Sequence, residues 1–83
     1  MLTTGNQLKA ARALAGIEQS RLAELAGVNV NTIGAMEKRG AETLTSGLDK
    51  IRSVMVALES LGIEFLNHGQ PGVRLVKPKG ADE

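Results

Sequence analysis

Cysteine is absent from this chain, so neither a disulfide framework nor a thiolate metal site can staple it. With His68 as the only histidine, no structural zinc site is expected either. Aromatic residues are almost missing. Phe65 stands alone, which argues against single-strand or RNA binding on stacking platforms. No apolar run approaches the ~18–20 residues that a membrane helix needs. The N-terminus lacks the charged-then-apolar profile of a signal peptide. A cytoplasmic protein with no membrane partner is therefore expected. Nor does one sign of charge dominate, since the formal net charge is only +1. Dedicated nucleic-acid binders are commonly more basic, although local clustering matters more than the sum. A glycine-rich phosphate loop is missing, and no two carboxylates pair in a pocket-forming pattern. Neither an enzyme nor a bound cofactor is expected.

What is present fits one small domain. Eighty-three residues lie near the lower limit for burying enough apolar surface to fold alone. The chain is organised around Gln19 to Met36, QSRLAELAGVNVNTIGAM, which reads as two short helices hinged at Gly27. The first runs from about Gln19 to Ala26 and places Leu22, Leu25 and Ala26 on one face. Gly27 stands where a left-handed residue stops that helix, and Val28 tucks under the turn. Asn29 then supplies a side-chain oxygen to cap the second helix, Val30 to Lys38, whose Ile33 and Met36 face inward. Small Ala23 lets the two helices approach at a steep angle. These features describe a helix-turn-helix.

Upstream, Thr4-Gly-Asn-Gln7 has capping-box spacing. Leu8, Ala11, Leu14 and Ala15 follow at helical spacing, with Lys9 and Arg12 on other faces and Gly16 as the stop. Ile17 links to the next helix, where Glu18 is a weak cap of favourable charge. Downstream, Lys38-Arg39-Gly40-Ala41 opens a basic, flexible loop that runs through Leu44. Ser46-Gly-Leu-Asp49 offers a further cap to a long helix ending at Gly62, with Leu48, Ile51, Val54, Met55, Leu58 and Leu61 as its apolar stripe.

From Ile63 the pattern alternates. Ile63–Leu66 and Val73–Lys77 read as two strands across the turn-rich Asn67–Gly72. Ile63 and Phe65 share a face with Val73 and Leu75. A lone hairpin is marginal in water, so it must pack on the helices or on a second copy. Three segments are expected: a helical domain over 1–62, a strand extension over 63–77, and a frayed tail over 78–83. Arg74, Lys77 and Lys79 read as a solvated basic cluster, and His68 as an inert turn residue.

The residues Gln19, Leu22, Ala23, Ala26, Gly27, Val28, Ile33, Met36 and Glu37, spaced Q-x-x-L-A-x-x-A-G-V-x-x-x-x-I-x-x-M-E, resemble the lambda repressor/Cro-like (xenobiotic-response-element type) helix-turn-helix family. The tail LGIEF…PGVRLVKP is similar to the strand pair ending many small bacterial members. The resemblance implies a mainly α, four- to five-helix, lambda-repressor-like DNA-binding domain with a C-terminal β-strand pair. It implies a homodimeric regulator of transcription, most often a repressor, whose partner is double-stranded DNA.

Carried over by residue, the resemblance puts Val30, Asn31 and Thr32 at base edges in the major groove, with Gly34 and Ala35 one turn on. Asn31 suits adenine, whose N6 and N7 a carboxamide bonds together, while Val30 and Thr32 suit thymine methyls. Gln19, Lys38 and Arg39 fall at phosphate contacts, with Asn29 beside them at the cap. Ser46, at a helix N-terminus, offers backbone N–H groups to another phosphate. Arg12 and Glu37 resemble an internal ion pair of structural role. Phe65, Val73 and Leu75 are the candidate dimer contacts, with the long helix as the other choice.

Gly34 and Ala35 depart from the family, which commonly carries Arg, Gln, Ser or Lys there. Either the backbone approaches the groove closely, or this surface has ceased to read bases. The second option would make the chain a protein-docking module such as an antiactivator, with another regulator as its partner. A third is an antitoxin that binds both its operator and a toxin.

Overall fold

The protein, represented by a computed structural model, is described over residues 1–67 and 69–76. The expectations for His68, Lys77, Lys79 and the 78–83 tail lie outside those residues. Four helices and a two-stranded antiparallel sheet follow one another along the chain: α1 (Gly5–Ala15), α2 (Gln19–Ala26), α3 (Val30–Lys38), α4 (Leu48–Glu59), β1 (Ile63–Leu66) and β2 (Gly72–Leu75).

Helix α1 begins with a complete capping box. The Gln7 backbone N–H donates to the Thr4 hydroxyl at 3.1 Å, and the Thr4 backbone N–H donates to Gln7 Oε1 at 3.2 Å. Gly16 ends it in the left-handed conformation. The α2–α3 turn is built from equally local signals. Gly27 adopts φ +71°, a value costly for any residue with a Cβ, and the Val28 N–H returns to the Ala23 carbonyl at 3.0 Å. Two residues on, the Asn31 N–H donates to Asn29 Oδ1 at 2.8 Å and caps α3.

The core lies between α1, α2, α3, α4 and β1, and is filled by Leu2, Leu8, Leu22, Ile33, Met36, Val54, Leu58 and Ile63. Ala11 and Ala23 are small buried residues between neighbouring helices. The hairpin belongs to this core. Ile63 is buried, and Phe65 and Val73 pack against the helical residues. Its register pairs Ile63 with Leu75, Glu64 with Arg74, Phe65 with Val73 and Leu66 with Gly72. Ile63, Phe65, Val73 and Leu75 therefore share a face. Arg74 is ion-paired with Glu64 across the strands.

Several expectations need correction. Leu14 and Leu25 are exposed rather than core-facing, because nothing packs over the edge of the apolar stripe on which each lies. Leu48 is 84% exposed, so it opens α4 without joining its buried face. The cap of α4 is Gly47, not Ser46, and no side-chain hydrogen bond closes it. The helix stops at Glu59, three residues before Gly62. There the backbone tightens, with Leu61 N–H to Leu58 and Gly62 N–H to Glu59, and Leu61 is left in the turn. The loop after α3 is not loose. Leu44 is buried, its N–H donates to the Thr3 carbonyl at 2.8 Å, and Thr4 bridges to Thr43. The second strand starts one residue earlier than expected and runs Gly72–Leu75, with the Val76 N–H closing on the Gly62 carbonyl.

Candidate nucleic-acid interface

Helix α3 buries one side and leaves the other open. Ile33 and Met36 point into the core, whereas Val30, Asn31, Ala35 and Lys38 are exposed and Gly34 is half-buried. Beside this outward face runs an open groove of about 780 Å³. Six of the expected contact residues line it: Gln19, Val30, Asn31, Gly34, Ala35 and Lys38. Lys9, from α1, and Glu37 complete the walls.

The other four expected contact residues stand apart from the groove. Asn29 uses its side-chain oxygen on the cap, and Thr32 is half-buried on the flank of α3. Arg39 is held by the Thr43 carbonyl at 3.1 Å and lies 3.4 Å from Glu42, so the loop already engages its charge. Ser46 precedes the N-cap of α4 and does not line the groove.

Gln19 and Glu37 of the groove wall belong to an ordered polar network. Arg12 donates from Nε to Glu37 Oε2 at 2.8 Å and from Nη2 to Oε1 at 3.2 Å, while its Nη1 donates to the Ile17 carbonyl at 3.1 Å. Gln19 Nε2 donates to Glu37 Oε1 at 3.0 Å. One Gln19 amide hydrogen is thereby fixed, which orients the second hydrogen and the carbonyl oxygen at the groove wall. Burial alone pushes the Glu37 carboxyl up. The hydrogen bonds from Arg12 and Gln19, and the charges of Arg12 and Lys9, outweigh it and hold the carboxyl below its ordinary value. Reciprocally, the Arg12 guanidinium is held above its ordinary value, chiefly by its hydrogen bond to Glu37.

Because Arg12 neutralises Glu37, the uncompensated charges along the groove are Lys9 and Lys38, and neither has a salt-bridge partner among the described residues. Lys9 was not among the expected contacts. The signal for it was nonetheless in the sequence: it lies one turn before Arg12, so an Arg12 reaching Glu37 brings Lys9 alongside α3. Among the described residues no group of histidine and acidic side chains could hold a metal ion, and no helix is long and apolar enough to cross a membrane.

No family model matches the chain, and no curated protein shows significant similarity to it.

Proposed function

We propose that this chain is a cytoplasmic, sequence-specific double-stranded DNA-binding regulator of transcription. It acts as a homodimeric repressor with a lambda-repressor-like helix-turn-helix, and it is a binding protein rather than an enzyme. The observation that carries this reading is the open face of α3, whose groove is lined by Lys9 and Lys38 beside a neutralised Glu37. An α-helix fits the major groove of B-form DNA, and cations at its exposed face suit the phosphates that border that groove. Asn31 supplies the base-reading amide. Gln19, oriented by Glu37, donates to a phosphate oxygen. Val30 adds apolar contact to thymine methyls, and Lys38 and Lys9 fix the register.

Selection of bound duplexes from a random pool, followed by titration at several salt concentrations, tests the reading. Binding that weakens with salt, and whose logarithmic slope falls by about one for each of Lys9→Ala and Lys38→Ala, is the expected result. A two-fold symmetric site with half-sites about 34 Å apart identifies the paired form. Absence of any duplex binding at low salt overturns the proposal. The low polarity of Gly34 and Ala35 would then favour the protein-docking alternative.

A further inference from the structure

Separate from the groove that holds Lys9 and Lys38, α4 leaves an apolar face without a partner. Met1, Leu44, Leu48, Ile51, Met55 and Val56 line a second groove of about 670 Å³, which shares no residue with the first. Leu48 is 84% exposed, Met1 69% and Val56 52%. Contiguous apolar surface of this kind on a small domain marks an interaction site. The hairpin offers far less, because Phe65 and Val73 already pack on the protein's own core and leave Leu75 and Val76 as its exposed apolar residues. Phe65 and Val73, expected as dimer contacts, are thus half-buried against the core of one subunit.

The charges on the α4 face say what covers it. Arg52 and Glu59 both border the groove and are seven residues, or two turns, apart on one side of the helix. Neither takes part in a salt bridge among the described residues. The midpoint between them falls between Met55 and Val56, within the apolar strip. We propose that this face binds a second copy of the chain, α4 antiparallel to α4 about a two-fold axis at Met55 and Val56.

That axis brings Arg52 opposite Glu59 of the partner subunit and, by the same operation, Glu59 opposite the partner's Arg52. An isologous interface has this reciprocity by construction. Parallel pairing of the same helices would set like charges together and is disfavoured. Met55 then meets the partner's Val56, and Val56 the partner's Met55, at the centre, where a symmetric interface is driest. Self-association through α4 leaves the α3 groove of both subunits open, so it does not depend on what that groove binds.

The test is sedimentation of the full chain without DNA, over a range of concentrations. The wild-type chain is expected to form a dimer. Arg52→Glu alone and Glu59→Arg alone are each expected to weaken it by at least about tenfold, because each juxtaposes like charges twice. An equimolar mixture of the two variants is expected to recover the dimer mass, since each then supplies what the other lacks. The double variant R52E/E59R is expected to dimerise by itself. Both side chains are exposed, and circular dichroism checks that every variant remains folded. A wild-type chain that stays monomeric at every concentration overturns the proposal. So does a dimer indifferent to either reversal, or a mixture that remains monomeric.

Discussion

Arg12 and Glu37 meet through two roughly parallel hydrogen bonds, one at 2.8 Å and one at 3.2 Å, although they lie on different helices. The Glu37 side chain is 7% exposed and that of Arg12 20%, so the pair sits where removing one partner strands the other. Because Arg12 also holds the Ile17 carbonyl, one guanidinium fixes α1, the α1–α2 link and α3 relative to one another. The outward face of α3 is therefore aimed by a cation that does not itself line the groove.

Acid should expose this pairing. The folded Glu37 carboxyl lies below its ordinary value of 4.5, so it contributes stability in full above that value. The contribution is lost as pH falls through the lower, folded value. Glu37→Gln should remove that part of the acid dependence. At neutral pH it should also lower stability by about 1–3 kcal/mol, below the usual range for a buried pair because solvent screens the partly exposed Arg12. Urea titrations of both proteins from about pH 7 down to pH 3 measure this, and curves that stay parallel across the range would contradict it.

Gln7 holds two distant parts of the chain together. Its Oε1 accepts from the Thr3 and Thr4 backbone N–H groups and the Thr3 hydroxyl, while its Nε2 donates to the Leu66 and Gly72 carbonyls at 3.3 and 3.1 Å. Gln7→Glu keeps the acceptor and removes the two donors to the hairpin. Its expected effect is a loss of about 1–3 kcal/mol. Amide exchange should accelerate most over Ile63–Leu66 and Gly72–Leu75, with α2 and α3 less affected. Uniform acceleration throughout the chain would mean that Gln7 serves only as a cap.

Local signals made the centre of the molecule legible. A left-handed glycine at Gly27 and an amide cap at Asn29 each act within a few residues, so the limits of α2 and α3 follow from the chain itself. The capping box at Thr4 and Gln7 and the alternation through Ile63 and Phe65 are of the same kind. Leu14, Leu25 and Leu48 were misleading because periodicity finds an apolar stripe but not which edge a neighbour covers. That Arg39 is engaged by its own loop while Lys9 lines the groove was hidden for a similar reason. Whether a cation is engaged depends on groups such as the Thr43 carbonyl, brought near by the turn after α3, or on a helix distant in sequence.

Gly5 illustrates a constraint that comes from another helix. A Cβ built there would collide with the Met36 carbonyl oxygen, lie 2.8 Å from the Gly40 amide nitrogen and 3.0 Å from the Glu37 carbonyl oxygen. All three are backbone atoms that no rotamer change can move. The adjacent Asn6 N–H donates to the Gly40 carbonyl at 2.8 Å, so the start of α1 is seated directly on the end of α3. Gly5→Ala should therefore destabilise by about 1–3 kcal/mol, despite alanine's better helix propensity. In a domain this small that corresponds to several degrees in Tm, and a thermal melt at or above wild type would show that the junction yields freely.

Gly34 offers the opposite case and the sharpest separation of stability from binding. It lies in α3 on the groove wall, and a Cβ there would meet nothing within 4 Å. Glycine inside a helix costs about 1 kcal/mol relative to alanine, so Gly34→Ala should raise stability by roughly that amount. If duplex DNA lies against α3, however, the added methyl projects into the space that a base edge or sugar must enter. Under the proposed function the same variant should bind the selected duplex several-fold more weakly, while the salt slope stays unchanged because no cation is removed. Higher stability with undiminished DNA affinity would mean that the duplex does not approach the backbone at Gly34. Base reading would then rest on Asn31 and Val30 at the start of the helix.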